Sequence, residues 1–334
     1  MNPFDRQGGA AARTLWPIAG PMFAELTIGI GAGLVGTWLA SRVSDPAAAA
    51  FALGNHVAAM LFILFRIIGA GAGVVIAQAA GGGRNTEANR VIRAILGAST
   101  WVGVVTALGA AVGAGTLMRL MNAPADIAPM AAFFLVALAP SFFVDAWAAM
   151  LSNTLRARLV NRAVLMVTVV SAVLQLALAA PLMLGIGAFS GWGLAGFAVA
   201  QFAGRAVAIA ALLYVARQMI GLRVGWTDWV RIRPSALKPV LRIGIPGAAE
   251  NIGYRLAFMV SLAAAGTLGA QALATQAYAL QISYVALMFG LSIGLSMEIA
   301  IGHLAGAGKL RDADALLRGG LRLALGLAVM ATAL

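Results

Sequence analysis

The sequence predicts an all-α polytopic membrane protein, and three observations predict it. Of the 334 residues, 62% are hydrophobic and 10% charged, where a soluble domain carries about 25% charged residues. The apolar residues gather in long continuous runs, close to the roughly 20 residues a helix needs to cross a bilayer. The basic residues collect on alternate connections between those runs, as they do in helical membrane proteins of fixed orientation. Together these exclude a soluble enzyme and a disordered chain. A transmembrane barrel is excluded as well, because its strands alternate in segments of about ten residues.

Taken in order, the apolar runs lie near 15–40, 52–79, 92–118, 127–153, 163–187, 192–216, 243–266 and 273–303, with a ninth beginning near 319 and still apolar at Leu334. The reading is therefore eight full spans plus a partial ninth. Turn chemistry separates them: Ser44-Asp45-Pro46, Gly81-Gly82-Gly83, Asn122-Ala123-Pro124, Gly185 to Gly191 and Gly306-Ala307-Gly308. The first run is too long for a cleavable signal and lacks a small-residue cleavage site. Of the 23 Lys and Arg, 18 fall on one set of connections and two, Arg42 and Arg119, on the other; Arg66, Arg205 and Arg255 lie inside spans. This asymmetry predicts a multi-pass protein of the inner (plasma) membrane with a cytoplasmic N-terminus. It also accounts for the net charge of +12 with no nucleic-acid partner.

The chain matches itself without gaps at an offset of 225 residues. Pro21 falls on Pro246, Glu25 on Glu250, Gly69 on Gly294, and Ala80-Gly81-x-Gly83 on Ala305-Gly306-x-Gly308. Six spans separate the copies, so both face the same way. This is a parallel repeat about an axis along the membrane normal. Position 334 matches position 109 of the first copy, so the second copy is expected to be incomplete in this chain, and a whole protein would have twelve spans. The domains follow: 1–216 a first lobe, 217–242 a cytoplasmic linker and 243–334 an incomplete second lobe.

At this point the chain resembles the multidrug and toxic compound extrusion (MATE) family. The resemblance is carried by Leu15-Trp16-Pro17 through Pro21, by Ala77-Gln78-Ala79-Ala80-Gly81-Gly82-Gly83-Arg84 with Ala88, and by Gly193-Leu194-Ala195-Gly196. It continues through Arg242-Ile243-Gly244-Ile245-Pro246 with Glu250-Asn251, and Ile301-Gly302-His303-Leu304-Ala305-Gly306-Ala307-Gly308 with Ala313. The resemblance implies a two-lobe helical bundle around a central cleft. It implies a monomeric secondary transporter that exports small amphipathic, cationic compounds by alternating access as Na⁺ or H⁺ enters, with no other cofactor. Where many members carry a helix-one aspartate, this chain has Gly36, and a helix-five Asn/Asp pair stands here as Gln175 and Ala179. The resemblance therefore does not carry the N-lobe carboxylate site onto this sequence.

Ionisable groups at membrane depth cost about 2.5–3.5 kcal/mol on insertion scales and persist when paired, hydrated or functional. Glu25, Asp145, Glu250 and Glu298 qualify, and each is expected to face the bundle interior. Glu250 is one turn past Pro246, which lacks the N–H that would close the backbone bond there. A freed carbonyl beside a carboxylate suits Na⁺ or H⁺, while pairing with Arg255 is the structural alternative. Glu25 holds the same place in the first copy, with a polar contact to Arg66 or a neighbouring helix as its alternative. Asp145 pairs, on the structural reading, with an arginine of its own lobe. Asn251, Gln175, Gln276 and Gln281 offer neutral oxygens or bonds between helices. Tyr254, Tyr278, Tyr284, Met259 and Met288 suit promiscuous cation binding or ordinary packing. Trp226 and Trp229, among arginines, mark an interfacial linker.

Other chemistry finds no support. Zero cysteines exclude disulfides and thiolate catalysis, and His56 and His303 are too few for a metal site. Gly81-Gly82-Gly83-Arg84 lacks the Lys-Ser/Thr of a phosphate loop, and no strand precedes Gly69-x-Gly71-x-Gly73. Gly29/Gly33, Gly69/Gly73 and Gly290/Gly294 read as close helix contacts. The alternative function is a flippase for a lipid-linked precursor, in which Arg66, Arg205 and Arg255 would meet a phosphate headgroup.

Overall fold

A computed structural model describes residues 11–121, 123–187, 189–267 and 270–333. Ten α-helices fill most of these residues: α1 Ala11–Val43, α2 Asp45–Leu61, α3 Ile63–Gly81, α4 Asn85–Leu120, α5 Ala128–Ala157, α6 Asn161–Leu184, α7 Leu194–Ile220, α8 Pro234–Thr267, α9 Ala270–Gly306 and α10 Leu310–Ala333. Six of them are long and apolar enough to cross a membrane. The helix ends fall where turn chemistry places them. Ser44 caps α2 by accepting the Ala47 N–H at 3.1 Å, and Pro46 occupies a first-turn position where its missing N–H costs nothing. Gly83 and Gly308 hold φ of +71° and +75° in the loops after α3 and α9, a conformation that disfavours a side chain.

The second predicted span departs from expectation. It is two helices, α2 and α3, that meet at Phe62. The turn tightens there: the Phe65 N–H donates to the Phe62 carbonyl, three residues back. No proline or glycine marks the place. The Phe62 ring packs edge-on against Phe65 and Phe142, so the break belongs to tertiary packing.

One core joins α1 to α7 around Phe51, Phe134 and Phe142, each with 1% or less exposure. A second core joins α3 to α7 to the start of α8, and a third joins α1 to α9 and α10. The connection before α8 lies on α4. The Thr100 hydroxyl bonds the Trp229 carbonyl, Trp101 Nε1 donates to the Val230 carbonyl at 2.9 Å, and Trp229 packs on Trp147. Of the two tryptophans read as interfacial, Trp226 is exposed and Trp229 is instead half-buried against the helix bundle.

The internal repeat has a direct structural counterpart. A Cβ on Gly81 would lie 2.1 Å from the His303 carbonyl oxygen, and one on Gly306 would lie 1.9 Å from that of Gln78. At the offset of 225, Gly81 is the mate of Gly306 and Gln78 the mate of His303. The two contacts are thus exchanged by the repeat. Gly302 stands against Ala77, its own mate, with 2.9 Å between the Ala77 Cβ and the position a Gly302 Cβ would take. The ends of α3 and α9 therefore cross on the pseudo-two-fold axis.

Candidate functional site

The glycine crossings close one end of the molecule, the end that carries the Arg-rich connections. Beside the α3–α9 crossing, α3 meets α8. A Cβ on Gly71 would sit 1.9 Å from the Val240 carbonyl oxygen, and one on Gly244 would sit 1.8 Å from that of Ile67. Glycine is required because the two backbones touch. His303 Nε2–H donates to the Ala157 carbonyl at 2.8 Å, tying α9 to the end of α5. Ser296 and Met22 touch between α9 and α1, and Phe23 stacks on Phe289 with 4.2 Å between ring centres. These described contacts between α1–α7 and α8–α10 all lie in the basic half. Farther along, a Cβ on Gly29, Gly31, Gly33 or Gly253 would meet nothing within 4 Å.

In the other half, α1, α2, α6 and α7 enclose a cavity of about 470 Å³. Its polar lining comes from Thr37, Asn55, Thr168, Ser171, Gln175, Gln201 and Arg205. The Thr37 and Ser171 hydroxyls donate to carbonyls of their own helices. Arg205 Nε lies 2.7 Å from Asp145 Oδ1, and Gln201 Nε2 lies 3.4 Å from Asp145 Oδ2. Asp145 is 3% exposed and Arg205 39%. The carboxylate is thus set behind the guanidinium of an arginine of its own lobe.

Gly36 explains the missing carboxylate at the rim of this cavity. A Cβ there would fall 2.7 Å from Phe51 Cζ and 2.9 Å from Phe197 Cε2. Those rings pack edge-to-face at 4.8 Å, and they fill the space an aspartate would need. Restoring the acid by Gly36→Asp is expected to destabilise the protein by about 3 kcal/mol, from overpacking and burial of a charge among rings. Gly36→Ala, which displaces only ring edges, should cost less than half as much. Thermal unfolding midpoints in detergent check the order; an aspartate variant as stable as wild type would refute the packing argument.

Glu25 is buried in α1 and forms an ion pair with Arg156 of α5, which also donates to Asn153 Oδ1 at 2.9 Å. Sequence reasoning had counted Arg156 with the loops. Helical side chains lean toward their own N-terminus. At the last turn of α5 this turns Arg156 inward, while Glu25, on a helix of opposite direction, leans outward to meet it. A basic residue closing a spanning helix was the available signal.

Glu298 is half-buried, 3.6 Å from where a Cβ of Gly73 would stand. Glu250 departs from the expectation of an interior position: its side chain is exposed. It lies just beyond Gly247, which faces Ala70 of α3. The side chains of Asn251, Tyr254, Arg255 and Gln276 lie outside the described residues, as do those of Arg66, Met259, Tyr278, Gln281 and Tyr284. The structure thus brings together Asp145 with Arg205, and Glu25 with Arg156.

Comparison with known proteins supplies the context. The MatE family model matches residues 16–180 and 246–334. The "Uncharacterized transporter YisQ" of Bacillus subtilis (strain 168) is 27% identical over 300 residues, 90% of this chain and 66% of that protein. The "Probable multidrug resistance protein NorM" of Acinetobacter baylyi is 25% identical over 301 residues, 87% of this chain and 64% of that protein. The chain spans about two thirds of the length of these curated relatives. A MATE structure in the bent conformation superposes on all of this chain and 74% of that one, with TM-score 0.88 and 18% identity. A MOP superfamily transporter of Pyrococcus furiosus, described as having a binding pocket of reverse polarity, gives TM-score 0.82 at 18% identity over 98% of this chain and 72% of that one.

Proposed function

The chain belongs to the MatE family, and on that premise we propose that it is a secondary active exporter of small amphipathic compounds, working by alternating access against an inward flow of Na⁺ or H⁺. One observation carries the reading. The two sets of helices, α1 to α7 and α8 to α10, touch backbone to backbone at the basic end, the geometry expected of one state in a rocking cycle. With the Arg-rich connections in the cytoplasm, the end that the crossings close is the cytoplasmic one. The N-terminal group corresponds to the first lobe, and α8 to α10 to part of the second.

Glu250 is the coupling candidate in this reading. Its exposed carboxylate lies four residues past Pro246. An exposed acid there is open to an arriving cation. The cationic substrate class that the family resemblance implies is assigned to the cleft beside it.

The test uses the complete gene in an efflux-deficient cell. Wild type is expected to lower accumulation of a cationic dye, and Glu250→Gln at equal membrane level is expected to return it to that of cells without the gene. Collapsing the Na⁺ or the H⁺ gradient separately then assigns the coupling ion. If wild type moves no cation, the multidrug reading fails and the lipid-precursor flippase takes its place.

A further inference from the structure

We propose that the cavity between α1, α2, α6 and α7 is a subsite for an oxyanion, the carboxylate or phosphate ester of an amphipathic ligand, received by Arg205. This deepens the exporter reading and rests on it for the ligand's route. The argument begins with the donors. Asp145 faces Arg205 Nε as an ion pair without a hydrogen bond, and no hydrogen bond joins the terminal Nη1 and Nη2 groups to the described residues. Arg205 is 39% exposed and lines the cavity. A planar guanidinium paired by charge at Nε, with its terminal nitrogens open, can offer two parallel bonds to an oxyanion.

The surrounding groups agree. Asn55 and Gln175 line the same cavity, and their amides make no hydrogen bond among the described residues. Each amide carries two further N–H donors. The hydroxyls of Thr37 and Ser171 spend their protons on helix carbonyls. Unused donors therefore come from Arg205, Asn55 and Gln175.

A cation is poorly served here. The carboxylate beside the cavity is Asp145, which is buried behind Arg205 and held by it and by Gln201. The position where a second acid would stand is Gly36, blocked by Phe51 and Phe197. The Asp145–Arg205 pair is neutral overall, so it does not draw in anions at long range. It selects at contact, by hydrogen-bond geometry. The volume of about 470 Å³ lies within the range of small-molecule sites, and apolar walls from Phe51 and Phe197 take the rest of an amphipath.

The test measures binding apart from transport. The complete protein is placed in phosphatidylcholine nanodiscs, with 7-diethylaminocoumarin-3-carboxylate and its ethyl ester as fluorescent probes. The carboxylate should bind on the order of tenfold more tightly than the ester, the ratio one charge-assisted contact supplies. Arg205→Gln should bring the carboxylate to the ester's affinity, and Arg205→Lys should recover part of the difference. Equal binding of both probes by wild type overturns the proposal without any variant, as does a preference that survives Arg205→Gln in a folded protein. Competition by phosphatidylglycerol assigns the oxyanion to a lipid headgroup, and indifference to it assigns a soluble ligand; either supports the shared chemistry. Carboxylate binding with no transport in cells leaves the subsite standing and removes the exporter reading. Transport with no carboxylate preference does the reverse.

Discussion

An Ala77→Cys, Gly302→Cys double variant is expected to lose transport completely on oxidation and to regain it on reduction. The two positions face each other across the pseudo-two-fold axis, with 2.9 Å from the Ala77 Cβ to the ideal Cβ position at Gly302. A disulfide needs about 3.5–4.5 Å between Cβ atoms, so the helices have only to ease apart by less than about 1 Å. The native chain has no cysteine, and no competing bridge can form. Once made, the bond joins α3 to α9 and holds the basic end shut. Export by rocking requires that end to open on every cycle, so the oxidised protein stalls while its folding is untouched. Dye accumulation with and without a reducing agent, read beside the fraction cross-linked on a gel, is the measurement. Full cross-linking with undiminished transport would show that α3 and α9 do not separate at this point, and would end the alternating-access reading.

Breaking the ion pair of Glu25 and Arg156 is expected to have the next largest effect, and the two halves of the pair should not cost the same. Arg156→Met leaves the Glu25 carboxylate, 7% exposed, with no counter-charge. Its Oε1 already lacks a partner among the described residues. Removing one member of a buried pair costs about 3–5 kcal/mol, and this variant should fall in that range. Glu25→Gln leaves Arg156, 21% exposed. Its long stem can carry the charge toward the basic surface, so the cost should be about half. The double variant Glu25→Gln, Arg156→Met should be more stable than Arg156→Met alone. Thermal unfolding of the three proteins in one detergent gives the order. Equal losses for both single variants would mean that the pair is hydrated and contributes little.

The helical plan was legible from the chain because it rests on local physics. The apolar runs stand out by composition, and turn residues such as Ser44-Asp45-Pro46 separate them. The repeat was legible as well, since Gly81 and Gly306 hold equivalent places in two copies. Its consequence, that those glycines and Ala77 with Gly302 meet on one axis, needed the folded form. The break at Phe62 was not legible, because aromatic packing rather than proline or glycine makes it. Among the site residues, Glu25 and Asp145 were singled out as buried acids, but their partners were not. Arg156 was assigned to a loop by its place at the end of a run. Glu250 was expected inside the bundle and lies exposed.

The sequence by itself determined the helical membrane class, the turns, the basic end and the duplication, all properties of residues near one another or of composition. Tertiary structure decided which arginine serves which carboxylate. Glu25 and Arg156 are 131 residues apart, and a helix relates a residue only to those three and four away. It likewise decided that Phe51 and Phe197 fill the space beside Gly36, and that Arg205 turns open donors toward a cavity. Which helix faces meet depends on packing the whole bundle at once, and no local pattern encodes it.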